Sequence, residues 1–214
     1  MGGSVALLDL LGLAAMISIW TLGVTRVGSM IWGLAAQGLT LGGLMMLQGF
    51  AGRSGTLLVL AAAMIGVKGI AIPIILRSSA TRLQVARDPG TGIAPGFAML
   101  VGTVITAACY FQSRRFSVES SLHGTAGLSI ALVLTGLLIM LTRRTALGML
   151  IGFLVLDNGI AAYGFTQTPG MPVVVELGVL FDLFAGVLLA GMMLFRVRRS
   201  FEHLDASAMR ELRE

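Results

Sequence analysis

Seven apolar runs, at about residues 5–25, 29–50, 55–76, 94–112, 122–142, 145–166 and 172–195, constrain this chain more than any other feature. Each is close to the ~20 residues that a helix needs to cross a bilayer. The separators carry the polar punctuation: Arg26, Arg53, the stretch from Arg77 to Pro89, Arg114–Arg115, Arg143–Arg144, and Pro169 to Pro172. The first run lacks a basic leading segment and is too long for a cleaved signal, so it reads as a span. With 56% hydrophobic and 12% charged residues, the chain has about half the ~25% charged share of a soluble domain. A soluble globular enzyme is not the expectation, and a disordered chain is excluded. The expected fold is all-α: a polytopic membrane bundle of about seven helices.

The charges then set a direction. Fifteen bases against ten acids give +5 and a pI of about 10.6, which invites a nucleic-acid reading. The bases stand singly or in pairs between apolar runs, however, and form no phosphate-tracking face. With the N-terminus outside, eleven arginines (Arg26, Arg77, Arg82, Arg87, Arg143, Arg144 and five after residue 195) lie inside, against Arg53, Arg114 and Arg115 outside. Positive-inside bias therefore predicts N-out and C-in. The expected organisation is a four-helix membrane part over 1–112, a three-helix part over 113–195 and a cytoplasmic amphipathic tail over 196–214. Phe201, Leu204, Ala208 and Leu212 share one face of that tail.

Cys109 stands alone and His123 and His203 form no cluster, so the chain carries no metal site or redox equipment of its own. Thirteen scattered methionines fit core filling. No Walker loop, dinucleotide fingerprint or nucleophile elbow appears in a supporting context. Glycine is 29 of 214 residues, and Gly38/Gly42, Gly92/Gly96 and Gly148/Gly152 stand at helix-packing spacing. Packing inside the bundle is the main expectation; docking of neighbouring subunits is the sharper one.

Function is expected where the bilayer is violated. An ionisable group at a span centre costs about 2.5–3.5 kcal/mol on insertion scales and usually faces protein or water. Lys68, Asp157, Glu176 and Asp182 are such groups; Asp9 stands near a span end and is discounted. Lys68 lies about 13 Å from the Arg77 level at ~1.5 Å per residue. Pro73, five residues on, lacks an N–H, which deprives the Gly69 carbonyl of its helical partner and makes a place for water to enter. Asp157 precedes Asn158, a neutral hydrogen-bonder, while Asp182 stands between Gly178 and Gly186 on one face. Two carboxylates at similar depth on adjacent helices suit proton hopping. The plainer alternatives are a structural ion pair for Lys68 and an interfacial position for Glu176. Gln37, Thr40 and Gln48 are expected interhelical hydrogen-bonders; Trp20, Trp32 and Tyr163 read as interface or packing aromatics.

The segments GFLVLDNGIAAYG (Gly152 to Gly164) and MPVVVELGVLFDLFAGVLLAGMMLFR (Met171 to Arg196) resemble the membrane subunit family of hydrogenase-4 component E. VKGIAIPIILR (Val67 to Arg77) resembles the same family's lysine and I-P element. Runs five to seven also look like the K-type subunit of respiratory complex I and the C subunit of Mrp antiporters. The resemblance implies a non-catalytic subunit of an oxidoreductase complex in a prokaryotic inner membrane. Its expected partners are antiporter-like and quinone-site (H-type) membrane-arm subunits, a soluble redox arm and the lipid bilayer, with no nucleic acid. No cofactor is expected in this chain; nickel–iron and iron–sulfur centres would sit on partner subunits. By position Asp157 and Asp182 match the family's mid-membrane carboxylates, with aspartate at Asp157 where glutamate is more usual. Lys68 and Glu176 match the component-E pattern. The expected role is proton or sodium translocation through Lys68, Asp157, Glu176 and Asp182, supported by Pro73, Asn158, Gly178 and Gly186. Two rivals stand beside it: a stand-alone or Mrp-like cation/proton antiporter, which needs paired broken-helix halves, and a purely structural scaffold.

Overall fold

A computed structural model describes residues 2–82, 86–88, 90, 93–113 and 123–167. The seventh apolar run, the 196–214 tail and the expected site residues Glu176, Gly178, Asp182 and Gly186 lie outside the described residues.

Among the described residues the chain is helical throughout, apart from an isolated antiparallel bridge between Arg26 and Arg87. Helix α1 spans Gly2–Gly23 and α2 spans Val27–Ala51. The third apolar run forms α3 (Gly55–Met64), a π-helical turn (Ile65–Ala71) and α4 (Ile72–Arg82) in unbroken succession. Then come α5 (Pro95–Phe111), α6 (His123–Thr142) and α7 (Ala146–Gln167). Among the described residues five helical stretches are long and apolar enough to cross a membrane: Val5–Gly23, Val27–Ala51, Gly55–Thr81, Gly124–Thr142 and Ala146–Gln167. The fourth run, expected over 94–112, makes the shorter apolar helix Pro95–Phe111. The architecture is that of a multi-pass helical membrane protein.

Helices α1, α2, α6 and α7 form the centre; the α3–π–α4 rod lies against α2, and α5 against α1 and α6. Large apolar side chains such as Met16, Trp32, Val59 and Phe111 point outward. That is the surface a bilayer, rather than water, would accept. Glycines set the closest contacts. A β-carbon on Gly38 would stand 2.7 Å from the Lys68 carbonyl carbon, and one on Gly152 2.7 Å from the Met140 nitrogen. Gly136 and Gly159 bring the α6 and α7 backbones together in the same way. Gly42 admits Ile65, so the expected Gly38/Gly42 pair serves packing inside the bundle, whereas a β-carbon on Gly96 would meet nothing within 4 Å.

The described connections gather in two groups. At one, the Asp88 N–H donates to the Thr25 carbonyl (2.8 Å) and the Val27 N–H to the Ala86 carbonyl (3.3 Å). The α6–α7 turn joins this end through Arg143, whose Nη2 donates to the Thr21 and Leu22 carbonyls at 2.9 Å each. At the other, Gln48 Nε2 donates to the Phe165 carbonyl (3.3 Å) and Gln167 Nε2 to Thr125 Oγ1 (3.2 Å).

Candidate functional site: a polar layer between two apolar cores

The buried apolar residues divide into two clusters. One gathers Leu11, Ala14, Ala15, Leu41, Met64, Leu132 and Ala162 among others. The second gathers Leu22, Leu34, Ile72, Ile139 and Val155 among others. Along each helix a buried polar residue falls between the two: Ser18 on α1, Gln37 on α2, Lys68 on the π turn, Thr135 on α6, and Asp157 with Asn158 on α7. Five helical segments thus carry polarity at one level, with hydrocarbon-like packing on either side. Such placement is costly unless every group finds a partner.

The centre of the layer is an ion pair. Lys68 Nζ lies 2.7 Å from Asp157 Oδ2, with the two residues only 5% and 7% exposed. Local sequence explains how Lys68 gets there. Pro73 has no N–H to donate, and the backbone upstream of it widens to π geometry: the Ile72 N–H reaches back to the Val67 carbonyl, five residues away rather than four. The Lys68–Gly69 backbone sits directly on Gly38, where a side chain would collide. The π turn therefore approaches α2 closely, and the lysine reaches α7. Lys68 is thus ion-paired with one of the carboxylates the sequence singled out, and that carboxylate is Asp157.

A second branch runs from α7 to α1. Asn158 Nδ2 donates to Gln37 Oε1 (3.4 Å). Gln37 Nε2 in turn donates to Ser18 Oγ (2.6 Å) and to the Ala14 carbonyl (3.0 Å). The Ser18 hydroxyl donates to that same carbonyl at 3.1 Å. Asn158 Oδ1 is buried and has no hydrogen-bond partner among the described residues. An acceptor left open in an otherwise satisfied layer is where a water or a proton donor can join. Chemically the layer offers one titratable ion pair, one open acceptor beside it and a relay of amide and hydroxyl groups.

The sequence singled out Lys68, Pro73, Asp157 and Asn158, and the structure brings Lys68, Asp157 and Asn158 to one level with Pro73 just beyond them. Gln37 and Gln48 bond between helices as expected, while Thr40 instead donates to the Gln37 carbonyl of its own helix (2.8 Å). Sequence reasoning passed over Ser18 and Thr135. The signal was available: each is a hydroxyl at the middle of an apolar span, level with a more conspicuous polar residue on a neighbour.

A separate polar cluster ties the turns together. Asp88 Oδ1 accepts from the Gly90 N–H (2.8 Å) and the Arg144 N–H (3.3 Å). Its Oδ2 accepts from the Thr145 N–H (3.1 Å) and from the Thr145 hydroxyl. Thr145 Oγ1 also caps the start of α7 by accepting from the Gly148 N–H at 3.0 Å. Burial pushes the Asp88 carboxyl up, but the Thr145 hydroxyl and the Gly90, Arg144 and Thr145 amides outweigh it, and the net shift is downward from 3.8. Burial lowers the Arg143 guanidinium, and the Asp88 charge partly offsets it. Arg143 closes the C-terminal end of α1, where a cation meets unpaired carbonyls and the negative end of the helix dipole. Among the described residues no group of three or more His, Cys, Asp or Glu could hold a metal ion.

No family model matches this chain, and no solved structure matches it. It is similar to "Uncharacterized protein Rv0085" of Mycobacterium tuberculosis (strain ATCC 25618 / H37Rv), 29% identical over 205 residues covering 94% of this chain and 92% of that protein.

Proposed function

We propose that this chain is a membrane-arm subunit of a multisubunit energy-converting complex, related to group 4 nickel–iron hydrogenases, formate hydrogenlyase and complex I. Its part there is proton or sodium translocation coupled to redox chemistry on other subunits. The observation that supports this best is the Lys68–Asp157 ion pair at the middle of the bundle. It joins the two described segments that carry the resemblance to hydrogenase-4 component E, Val67–Arg77 and Gly152–Gly164. A buried pair of opposite charges can act as a switch: protonating the carboxylate or attracting the ammonium elsewhere loosens the pair. Asn158 Oδ1 offers the open acceptor through which a proton-carrying water enters.

On this reading the chain has seven spans, N-terminus out and C-terminus in, in a prokaryotic inner membrane. The three turns that meet at Asp88 and Arg143 then share the cytoplasmic side, where most of the arginines fall. Glu176 and Asp182 continue the pathway in the seventh span toward neighbouring antiporter-like and H-type subunits. The nickel–iron and iron–sulfur centres belong to the soluble redox arm.

The test is ion uptake by membrane vesicles during redox turnover of the native complex. Asp182→Asn should leave assembly intact and abolish pumping, as should the paired change Lys68→Met with Asp157→Leu, which removes both charges together. The complex should co-purify with a large subunit bearing paired CxxC motifs. Unchanged pumping in both variants would sink the proposal. The ion pair also favours a second reading, that of a structural scaffold, which predicts that the paired apolar variant assembles and pumps normally.

A further inference from the structure

The second feature with the makings of a site lies between the polar layer and the end where the α1–α2 turn and the 86–88 segment meet. A cavity of about 430 Å³ opens between the start of α2 and the middle of α4. Its walls include Ile31, Trp32, Pro73 and Ile74, and two guanidiniums, Arg26 and Arg77, stand on it. No carboxylate lines it, and neither arginine forms an ion pair among the described residues. Asp88, an acid at this end, is buried and accepts hydrogen bonds from Gly90 and from the α6–α7 turn. Among the described residues the cavity therefore combines an apolar wall with two positive charges that no carboxylate pairs.

The wall continues onto the outer surface. Trp32 is 66% exposed and Ile74 62% exposed, on helices long and apolar enough to lie in a bilayer. A tryptophan next to arginines at the end of such helices is the arrangement found at headgroup depth, where an indole straddles the polar boundary. The volume falls within the ~300–1,000 Å³ range of sites that enclose a small ligand. It accommodates a phosphate with its glycerol and the first part of an acyl chain, while the rest of the chain runs along Trp32 and Ile74 into lipid.

We propose that this cavity is a binding site for an anionic phospholipid, whose phosphate is held by Arg26 and Arg77 and whose acyl chain lies against Trp32, Pro73 and Ile74. A free phosphate shares the headgroup chemistry, but it would leave the apolar wall unused. Charge complementarity and the lipid-facing wall together favour the lipid. The site does not depend on the redox assignment above. It adjoins the polar layer through Pro73, the residue beneath which the helix widens around Lys68, so its occupant rests on the element that positions the ion pair.

Trp32 is itself the reporter. The full chain carries two tryptophans, Trp20 and Trp32, so Trp20→Phe leaves Trp32 as the only indole. This protein is placed in phosphatidylcholine vesicles containing a minor fraction of either brominated phosphatidylglycerol or brominated phosphatidylcholine, with bromines near the top of the acyl chain. The expected result is quenching of Trp32 by the anionic lipid at about tenfold lower mole fraction than by the zwitterionic one, about 1.4 kcal/mol of preference. Arg26→Gln with Arg77→Gln should abolish that preference while leaving quenching by phosphatidylcholine unchanged. Should the double variant fail to fold, the wild-type arginines still answer: raising salt should reduce the preference, because it rests on charges open to solvent. Equal quenching by the two lipids, or a preference indifferent to both salt and substitution, overturns the site. Displacement of the quencher by millimolar inorganic phosphate also overturns it, in favour of a free-anion site.

Discussion

Asp88 and Asp157 are both buried carboxylates, 1% and 7% exposed, yet the chain satisfies them in opposite ways. Asp88 accepts from three backbone N–H groups and one hydroxyl. Its neighbour Arg143 is occupied with the carbonyls that end α1. Every donor around Asp88 is fixed by the backbone or by a cap, so the carboxylate works as a clasp between the 86–88 segment and the α6–α7 turn. Asp157 instead meets Lys68, a cation on a long, adjustable stem. Backbone donors hold a carboxylate in one protonation state; a titratable cation holds it only while both are charged. The clasp thus rests on donors that the backbone fixes, whereas the ion pair rests on two side chains.

The largest expected effect breaks the ion pair from one side. Lys68→Met or Asp157→Leu alone leaves a buried charge without its partner, which costs about 3–5 kcal/mol in buried pairs of this kind. The paired variant leaves no such charge and should recover most of that loss, as read from thermal unfolding of the detergent-solubilised protein. A paired variant no more stable than the single ones would show that the two side chains are not coupled. The same substitutions, followed by pumping, separate relay from scaffold as set out above.

A smaller effect tests how the backbone delivers Lys68. Gly38→Ala places a methyl against the Lys68–Gly69 backbone, which has no flexible end to move aside. Overpacking of this sort costs about 1–3 kcal/mol. Gly43, on the same helix, has nothing within 4 Å of an added β-carbon. Gly43→Ala should therefore be neutral or stabilise by up to ~1 kcal/mol through helix propensity. If both changes lower the melting temperature equally, the close approach of the π turn to α2 is not what Gly38 provides.

The contrast between the two carboxylates also explains what the sequence could reveal. Apolar runs mark spans because hydropathy acts on each helix separately: α1, α2, α5, α6 and α7 begin and end close to the boundaries read from them, while the third helix runs on from the expected 76 to Arg82. Lys68 and Asp157 were visible for the same reason: a charge inside an apolar run is anomalous in its own helix. Which acid meets Lys68 was not visible, because that depends on α2 presenting Gly38 rather than a larger residue at the crossing. Pro73 announced a defect in the third helix, but the π register follows from packing as well as from the missing N–H. Asp88 gave no signal, since an acid among arginines in a connecting stretch is ordinary. Its burial arises from the backbone pairing of 86–88 with 25–27, a contact between segments some sixty positions apart.

The smallest effect concerns the clasp and has a definite sign with pH. The carboxyl of Asp88 is shifted below its ordinary 3.8 in the folded protein, so folding favours its ionised form. A group whose folded value is depressed contributes stability that is fully present above the unfolded value and is lost as pH falls through the folded one. The wild-type protein should therefore keep a constant Asp88 contribution at neutral pH and lose it on acidification below about 4. Asp88→Asn retains one carbonyl acceptor but turns the other position into a donor facing the Thr145 N–H. It should lower the melting temperature at neutral pH by the equivalent of about 1–3 kcal/mol, the usual cost of leaving a buried donor unsatisfied. The difference between the two proteins should then shrink as pH falls below 4, because protonation disables the wild-type clasp as well. A difference that grows on acidification would reverse the sign argued here and would mean that the hydrogen bonds from Thr145, Gly90 and Arg144 do not hold the ionised form.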